Sequence, residues 1–462
     1  MLCLLLLAAL AVTSCTPDCE MMRGSWSTGP LQLSIQFLEY PAEEKWALLS
    51  CSSLSCEDAS CTTAAAPGAA LDQYHHFRRM QKEVCHATTK FAPSVSATYV
   101  FEKLKVQAGS LSFEIVENLS GAYGSAGGSS FDIRLSGPAI LVCATLDLYT
   151  GRYSVECRAP ALTQPELLWN LTVVIDYVKY GALYNPVATV ADGTFLVSVP
   201  FATSLLACSL TMLSSTPAIQ ADRLCTRADI SHSSGYWIGD HWRFSGCSLK
   251  VYAKAELEQC IPRFASVQLI GASHVRFLHD RFVDLLGGDL SGLEVKHHDA
   301  VFNKTGYRVG FQWISFASDM RDALPRDPPA GVFILQSGRW DVWKRGADVF
   351  MNAMVGVLER IAEWGNATTV IWLQIPPVGL QFDNQGFAKN NVQIAAIHEW
   401  LMPRLHSAGA HTIPYFDMTL PRRTEYACPL HYMCTDHNHS ILRRPAGDAV
   451  FQVILNSLCN EL

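Results

Sequence analysis

The sequence predicts a mixed α/β protein in which a β-sandwich precedes a parallel sheet flanked by helices. From about Pro93 to Ala207, short segments with apolar residues at alternate positions are separated by Gly-, Ser- and Pro-rich turns. This pattern is typical of an all-β, immunoglobulin-like sandwich. From about Ser266 onward, apolar strands alternate with amphipathic helices, which is typical of a doubly wound parallel sheet. A Cys-, Trp- and Gly-rich connector separates the two patterns.

The first residues have the character of a secretory signal. Residues Met1–Ser14 are apolar and end in small residues, and such a segment is too short to cross a bilayer. Cleavage after Cys15 removes two of the 16 cysteines and leaves an even number, 16 − 2 = 14, which favours a signal peptide over residues 1–15. No later apolar run is long enough for a transmembrane anchor. The predicted order is signal peptide 1–15, cysteine-rich N-terminal segment 16–88, β-sandwich domain 89–220, connector 221–265 and α/β domain 266–462.

Composition narrows the classes of protein and the compartment. Hydrophobic residues make up 49% and charged residues 17% of the chain, which excludes a disordered protein. The net charge of −7, without a long basic tract, argues against a nucleic-acid partner. The 16 cysteines favour an oxidising compartment, so we expect a protein that is secreted or resides in the lumen of the ER or Golgi. N-glycosylation sequons fit this location, and we expect glycans at Asn118, Asn170, Asn303 and Asn366.

Candidate catalytic residues follow the strands of the α/β domain, because ligands of such sheets bind beyond the carboxyl ends of the strands. Ser273 follows the strand VQLIG at a predicted helix N-terminus, where backbone N–H groups favour developing negative charge. Gly338 follows the strand VFILQ and can bring a backbone N–H close to a substrate. Asp436 and His439 lie three residues apart before the last helix, and such a pair can act as an oriented base. Taken singly, each feature also fits a helix cap, a turn or a surface residue.

Together these blocks resemble the SGNH/GDSL hydrolases, and more closely their PC-esterase branch. That branch includes the neurexophilin-and-esterase (NXPE) proteins, the trichome-birefringence-like O-acetyltransferases and the sialate O-acetyltransferases. The family's G-D-S-x-x-R block is similar to G-A-S-x-x-R at 271–276, its glycine-tryptophan block to S-G-R-W at 337–340, and its D-x-x-H to 436–439. P-A-G-D at 445–448 and the G-Y-W segment at 235–242 extend the resemblance.

The resemblance implies a serine acyl-enzyme mechanism. Ser273 is the implied nucleophile, His439 its general base and Asp436 the carboxylate that orients His439. The backbone N–H groups of Ser273 and Gly338 are the implied oxyanion donors, and Arg276 and Trp340 are expected to contact the oxyanion or substrate. The implied partners are a carbohydrate acceptor and an acyl donor. The flanking cysteines are disulfide candidates, namely Cys225 and Cys247 beside the G-Y-W segment and Cys428 and Cys434 before the D-x-x-H loop.

Two positions depart from the family pattern. Ala272 stands where relatives have the motif aspartate, and Gln336 or Ser337 stands where relatives often have asparagine. Since Ser273 and the D-x-x-H pair remain, we expect an active enzyme. His297 and His298 suggest metal ligation, but neighbouring residues of a strand point to opposite faces, so we expect no metal and no other cofactor.

The sequence therefore predicts a secretory-pathway serine O-acyltransferase, most simply an O-acetyltransferase, that acts on glycans through an acyl-enzyme. A carbohydrate O-acetylesterase of the same mechanism is the first alternative. A non-catalytic secreted ligand or glycan-binding protein is the second, and in that case Ala272 marks lost activity.

Overall fold

The structure is a computed structural model, and it combines a mostly β N-terminal region with a C-terminal mixed sheet flanked by helices. The predicted signal peptide and most of the cysteine-rich segment lie outside the described residues. So do the loop that carries Asp436 and His439 and the cysteines Cys428 and Cys434 within it. The structure describes residues 31–36, 96–107, 109–120, 130–148, 150–160, 166–177, 200–213, 223–232, 235–289, 298–377, 391–422 and 445–460.

Two antiparallel sheets of the N-terminal region enclose one apolar core. In β3 the alternate residues Leu111, Phe113 and Ile115 are buried, as expected for a strand with one face on a core. A disulfide joins Cys143 to Cys157, and both cysteines are buried in this core. The strands are β1 (Leu31–Gln36), β2 (Ser96–Gln107), β3 (Ser110–Ser120), β4 (Ser130–Ser136), β5 (Ile140–Val142), β6 (Ala144–Asp147), β7 (Arg152–Arg158), β8 (Glu166–Tyr177) and β9 (Pro200–Leu213).

The strand order places β1 in the same sheet as the strands of the predicted sandwich. One sheet has the order β1-β2-β3-β7-β6, and the other contains β5-β4-β8-β9. Since β1 pairs with β2 along its whole length, the cysteine-rich segment and the sandwich segment share a sheet.

The connector has more regular structure than its sequence indicates. It forms helix α1 (Arg227–His232) and the hairpin β10 (Gly235–Ile238) and β11 (His241–Phe244), closed by a disulfide between Cys225 and Cys247. Strands of four residues show too few alternating positions to be recognised from sequence. Trp237 is fully buried, pairs with Ile140 of β5, and donates its indole N–H to the carbonyl of Met418 at 2.7 Å. The hairpin thus joins the N-terminal sheet to the α/β region.

The C-terminal sheet has six strands in the order β13-β14-β12-β15-β16-β17. Five are parallel, but β13 runs antiparallel to β14, so the expected all-parallel sheet is corrected to a mixed one. β13 is an edge strand joined to β14 by a tight turn at Gly306, and only antiparallel neighbours can be joined that way. The strands are β12 (Ser266–Gly271), β13 (Ala300–Lys304), β14 (Tyr307–Trp313), β15 (Val332–Leu335), β16 (Thr369–Leu373) and β17 (His411–Ile413).

Helices cover both faces of this sheet, and the central strand β15 is apolar throughout because both of its faces are buried. One core contains α3 and α9, and the other contains α4, α6 and α7. A disulfide between Cys260 and Cys459 ties the end of α2 to the end of α9. The helices are α2 (Lys254–Cys260), α3 (Ser273–Leu285), α4 (Ala317–Ala323), α5 (Arg339–Lys344), α6 (Ala347–Trp364), α7 (Asn391–Ser407), α8 (Tyr415–Thr419) and α9 (Pro445–Cys459).

Two further features bear on the compartment. Within the described ranges, no helix is both long and apolar enough to cross a membrane. The three disulfides there are compatible with a secreted or lumenal protein. The sequon residues Asn170, Asn303 and Asn366 are exposed.

Candidate functional site

The strand order creates a crevice at the carboxyl ends of β12 and β15. Numbered along the chain, the five parallel strands have the order 2-1-3-4-5, and the connections from the first strand and from the third leave in opposite directions. In such a sheet the ligand crevice lies between the first and third strands. Those strands are β12 and β15, which end at Gly271 and Leu335. The residues that follow them therefore meet at the predicted ligand-binding edge.

Ser273 is the first residue of α3 and is partly exposed at this edge. The N–H groups of Val275 and Arg276 both bond to the carbonyl of Ala272, which closes the first helical turn. The N–H of Ser273 itself precedes these bonds and belongs to the helix end that carries positive partial charge. Ser273 thus combines a hydroxyl with a nearby N–H suited to an anion.

Gly271 brings the two strand ends into contact. A Cβ atom on this residue would collide with the side chain of Val275 and with the carbonyl oxygen of Gln336. The N–H of Gln336 also donates to the carbonyl of Ile270 at 3.1 Å. Ser273 and the turn after β15 are therefore held side by side by backbone packing.

Gly338 forms the turn from β15 into α5 with a φ of +111°. This left-handed conformation favours glycine, and a Cβ atom would also collide with the Ile375 side chain. Gly338 and Ser337 are buried, and Trp340 is partly buried against Phe316 with ring centroids 6.5 Å apart. The turn therefore has a fixed backbone, which is what an oxyanion donor requires.

His274 links the two halves of the crevice. It is buried, its Nδ1 lies 2.9 Å from the Tyr415 hydroxyl, and its Nε2 lies 3.2 Å from an Arg339 nitrogen. Because a guanidinium only donates, Nε2 accepts and Nδ1 carries the proton that is donated to Tyr415. The residue after Ser273 is thus bonded to the residue after Gly338.

Asp341 anchors the Gly338 turn from inside the protein. It is fully buried, and one carboxylate oxygen accepts hydrogen bonds from the Ala317 N–H at 3.1 Å and the Ser337 hydroxyl at 3.3 Å. Among the residues that the structure describes, none donates a hydrogen bond to its other oxygen. Burial raises the pKa of Asp341 to about 6, and the two donated hydrogen bonds oppose that rise.

A second polar network lies at the ends of β15, β16 and β17. Gln336 donates its amide to the carbonyl of Gln374 at 3.0 Å. The Gln374 side chain accepts from the N–H of Phe416 at 3.0 Å and donates to the carboxylate of Asp417 at 3.3 Å. Nearby, the N–H of Ile375 donates to Nε2 of buried His398 at 2.9 Å, and burial lowers the pKa of His398 to about 3. His398 is therefore neutral at physiological pH.

The predicted site residues are thus located only in part. Ser273 and Gly338 follow adjacent strand ends at this edge, and the Nε of Arg276 lies 3.8 Å from the Asp280 carboxylate of the same helix. Asp436 and His439 lie outside the described residues, as does His297. Among the residues that are described, no group of three or more His, Cys, Asp or Glu side chains is arranged to hold a metal ion.

Three polar residues at this edge, Gln374, Tyr415 and Asp417, were not among the residues predicted from the sequence. The available signal was their position, because Gln374 directly follows the buried strand TVIWL, and the other two follow HTI by two and four residues. The rule that placed Ser273 and Gly338 at strand ends applies to these positions as well.

Comparison with known proteins adds no relative. No protein-family model matches the chain, and no curated protein matches its sequence.

Proposed function

We propose that this chain is a secretory-pathway serine O-acyltransferase with an SGNH-like α/β domain, which transfers an acyl group, simplest an acetyl group, to a carbohydrate. The observation that carries the proposal is that Ser273, at a helix N-terminus, and the left-handed Gly338 turn follow adjacent paired strands at one edge of the sheet. A serine hydroxyl with a backbone N–H donor on each side of the crevice would suit the tetrahedral intermediate of acyl transfer. The immunoglobulin-like character of the N-terminal sandwich belongs to the same proposal.

In the first half-reaction, the Ser273 hydroxyl attacks the carbonyl carbon of an O-acyl ester while His439 takes the hydroxyl proton. The resulting oxyanion is bound by the N–H groups of Ser273 and Gly338. The carbon–oxygen bond to the leaving alcohol then breaks, His439 gives that alcohol the proton, and the acyl group remains on Ser273. Asp436 orients His439 and stabilises its cationic form.

In the second half-reaction, a sugar hydroxyl gives its proton to His439 and attacks the acyl-enzyme. Collapse of the second oxyanion forms the new ester and returns the proton to Ser273, so no oxidant, metal or cofactor is consumed. Removal of one oxyanion donor typically costs about 3–4 kcal/mol of transition-state stabilisation. The His274–Arg339 contact supports the function by holding the two donors in one arrangement.

The test compares the full-length chain with Ser273→Ala, using p-nitrophenyl acetate as the donor. Ser407→Ala is the matched control, because Ser407 is exposed at the end of α7 and its hydroxyl donates to the Pro403 carbonyl of the same helix. We expect wild type and S407A to release nitrophenol and to carry an acetyl group on Ser273 by mass spectrometry, and we expect S273A to do neither. If added sugar speeds the release of nitrophenol and acetylated sugar forms, the protein is a transferase. If added sugar leaves the release of nitrophenol unchanged, the protein is an esterase. Equal inertness of wild type and S273A would support the non-catalytic alternative.

A further inference from the structure

Asp417 lies at the ligand-binding edge of the sheet and has no role in the chemistry above. It is on α8, four residues after β17, and retains exposed surface. Among the described residues, its carboxylate receives a single hydrogen bond, from the Gln374 amide at 3.3 Å. A carboxylate has about four acceptor positions on its two oxygens, so this group has capacity for further donors.

Buried side chains hold this carboxylate in place. Gln374 is 8% exposed, and its amide oxygen accepts from the N–H groups of Phe416 and Asp417, which fixes the start of α8. Gln336 is 4% exposed and donates to the Gln374 carbonyl. Both ends of the Gln374 amide have partners, so its orientation is fixed, and Asp417 is the member of this network that reaches the surface.

The network lies close to Ser273. Tyr415 belongs to the same helix as Asp417, and its hydroxyl bonds to His274, the residue after Ser273. Gln336 precedes the Ser337–Gly338 turn on the other side of the crevice. With strands about 4.8 Å apart, the step from the end of β12 to the end of β16 spans roughly 10 Å. Asp417 bonds to Gln374, the residue after β16, so an acceptor sugar that extends about two strands along this edge from Ser273 would reach Asp417.

We propose that Asp417 binds the carbohydrate acceptor by accepting hydrogen bonds from its hydroxyl groups, an inference that rests on the acyltransferase function. Desolvation raises the pKa of Asp417, while the Gln374 bond opposes the rise. A partly desolvated carboxylate gains more from a hydroxyl donor than one surrounded by water, and charge-assisted hydrogen bonds are the stronger kind. Asp417 is thus a specificity-determining residue.

The test measures transfer and hydrolysis together in wild type, Asp417→Asn and Asp417→Ala. The donor is p-nitrophenyl acetate, and the acceptors are methyl glycosides of galactose, N-acetylglucosamine and xylose with their monodeoxy analogues. Asp322→Asn is the control, because Asp322 is exposed on α4 and pairs with its neighbour Arg321. We expect the ratio of transfer to hydrolysis to fall at least tenfold in the Asp417 variants, through a higher acceptor KM, and to be unchanged in D322N.

The deoxy analogues separate binding from a general structural effect. In wild type, one deoxy analogue is expected to lose at least tenfold in kcat/KM, and this loss is expected to vanish in D417A because the partner is already gone. Equal sensitivity to every deoxy position in wild type and D417A would refute the proposal. Loss of nitrophenyl acetate hydrolysis in D417N to the level of S273A would refute it too, by assigning Asp417 to the ester-cleaving groups.

Equilibrium binding keeps this inference separate from the proposed function. If wild type does not hydrolyse the donor, the same methyl glycosides are titrated into wild type and D417A by calorimetry. Binding to wild type that weakens at least tenfold in D417A would retain the carbohydrate site while the acyltransferase function fails. Absence of binding to wild type would refute the site.

Discussion

Replacement of Asp341 by asparagine is expected to change how stability depends on pH. In the folded chain the pKa of Asp341 is raised from 3.8 to about 6, because the carboxyl is fully buried. A raised pKa means that the folded state favours the protonated form. The contribution of this group to stability is therefore complete below pH 3.8 and is lost as the pH rises through 6.

The magnitude follows from the two pKa values. A shift from 3.8 to about 6, at about 1.36 kcal/mol per unit, gives a cost of up to about 3 kcal/mol for the ionised carboxyl. Between pH 4.5 and pH 7.5 the linkage relation reduces this to about 2 kcal/mol. Asparagine keeps an oxygen for the Ala317 N–H and the Ser337 hydroxyl but does not titrate. The unfolding free energy of D341N minus that of wild type should therefore be about 2 kcal/mol larger at pH 7.5 than at pH 4.5.

Urea unfolding followed by tryptophan fluorescence gives the difference in unfolding free energy between D341N and wild type at each pH. The change in that difference between pH 4.5 and pH 7.5 is the double difference to be measured. Because it compares the same two chains twice, any pH-independent cost of burying the asparagine NH2 cancels. The exposed control D322N is expected to show a double difference below about 0.5 kcal/mol. A double difference near zero for D341N would show that water reaches Asp341, and the reasoning about its burial would be wrong.

Two further predictions concern the same crevice. Gly338→Ala is expected to lower the unfolding free energy by about 1–3 kcal/mol, because the φ of +111° at this position disfavours a side chain. The same variant is expected to hydrolyse nitrophenyl acetate more slowly. Unchanged hydrolysis would exclude Gly338 as an oxyanion donor. His398 has its pKa lowered from 6.5 to about 3, so it favours the folded state above pH 6.5 and destabilises it progressively as the pH falls toward 3. His398→Gln keeps an acceptor for the Ile375 N–H but does not titrate. Wild type loses unfolding free energy between pH 7 and pH 5, and this loss is expected to be about 2 kcal/mol smaller in H398Q. If urea titrations show the same loss in both chains, the buried imidazole does not control acid stability.

Local patterns in the sequence determined much of the secondary structure. Periods of two and of 3.6 residues located β3 and β7 in the sandwich and α3, α6, α7 and α9 in the α/β region, because side-chain spacing on one face is set within each element. The rule that ligands bind at strand ends also singled out Ser273 and Gly338, which follow adjacent strands of the sheet. The short hairpin at Trp237 escaped detection, since four-residue strands carry too little periodicity.

Only the tertiary structure decided which of these elements are neighbours. The pairing of β12 with β15, rather than with another strand, brings the Ser273 helix beside the Gly338 turn. Pairing also makes β13 antiparallel, and it sets the contact of His274 with Tyr415 across 141 positions of sequence. The physical reason is that strand pairing and burial depend on residues far apart in the chain. The raised pKa of Asp341 and the hydrogen bond between Asp417 and Gln374 both depend on such distant partners. No local sequence pattern encodes either of them.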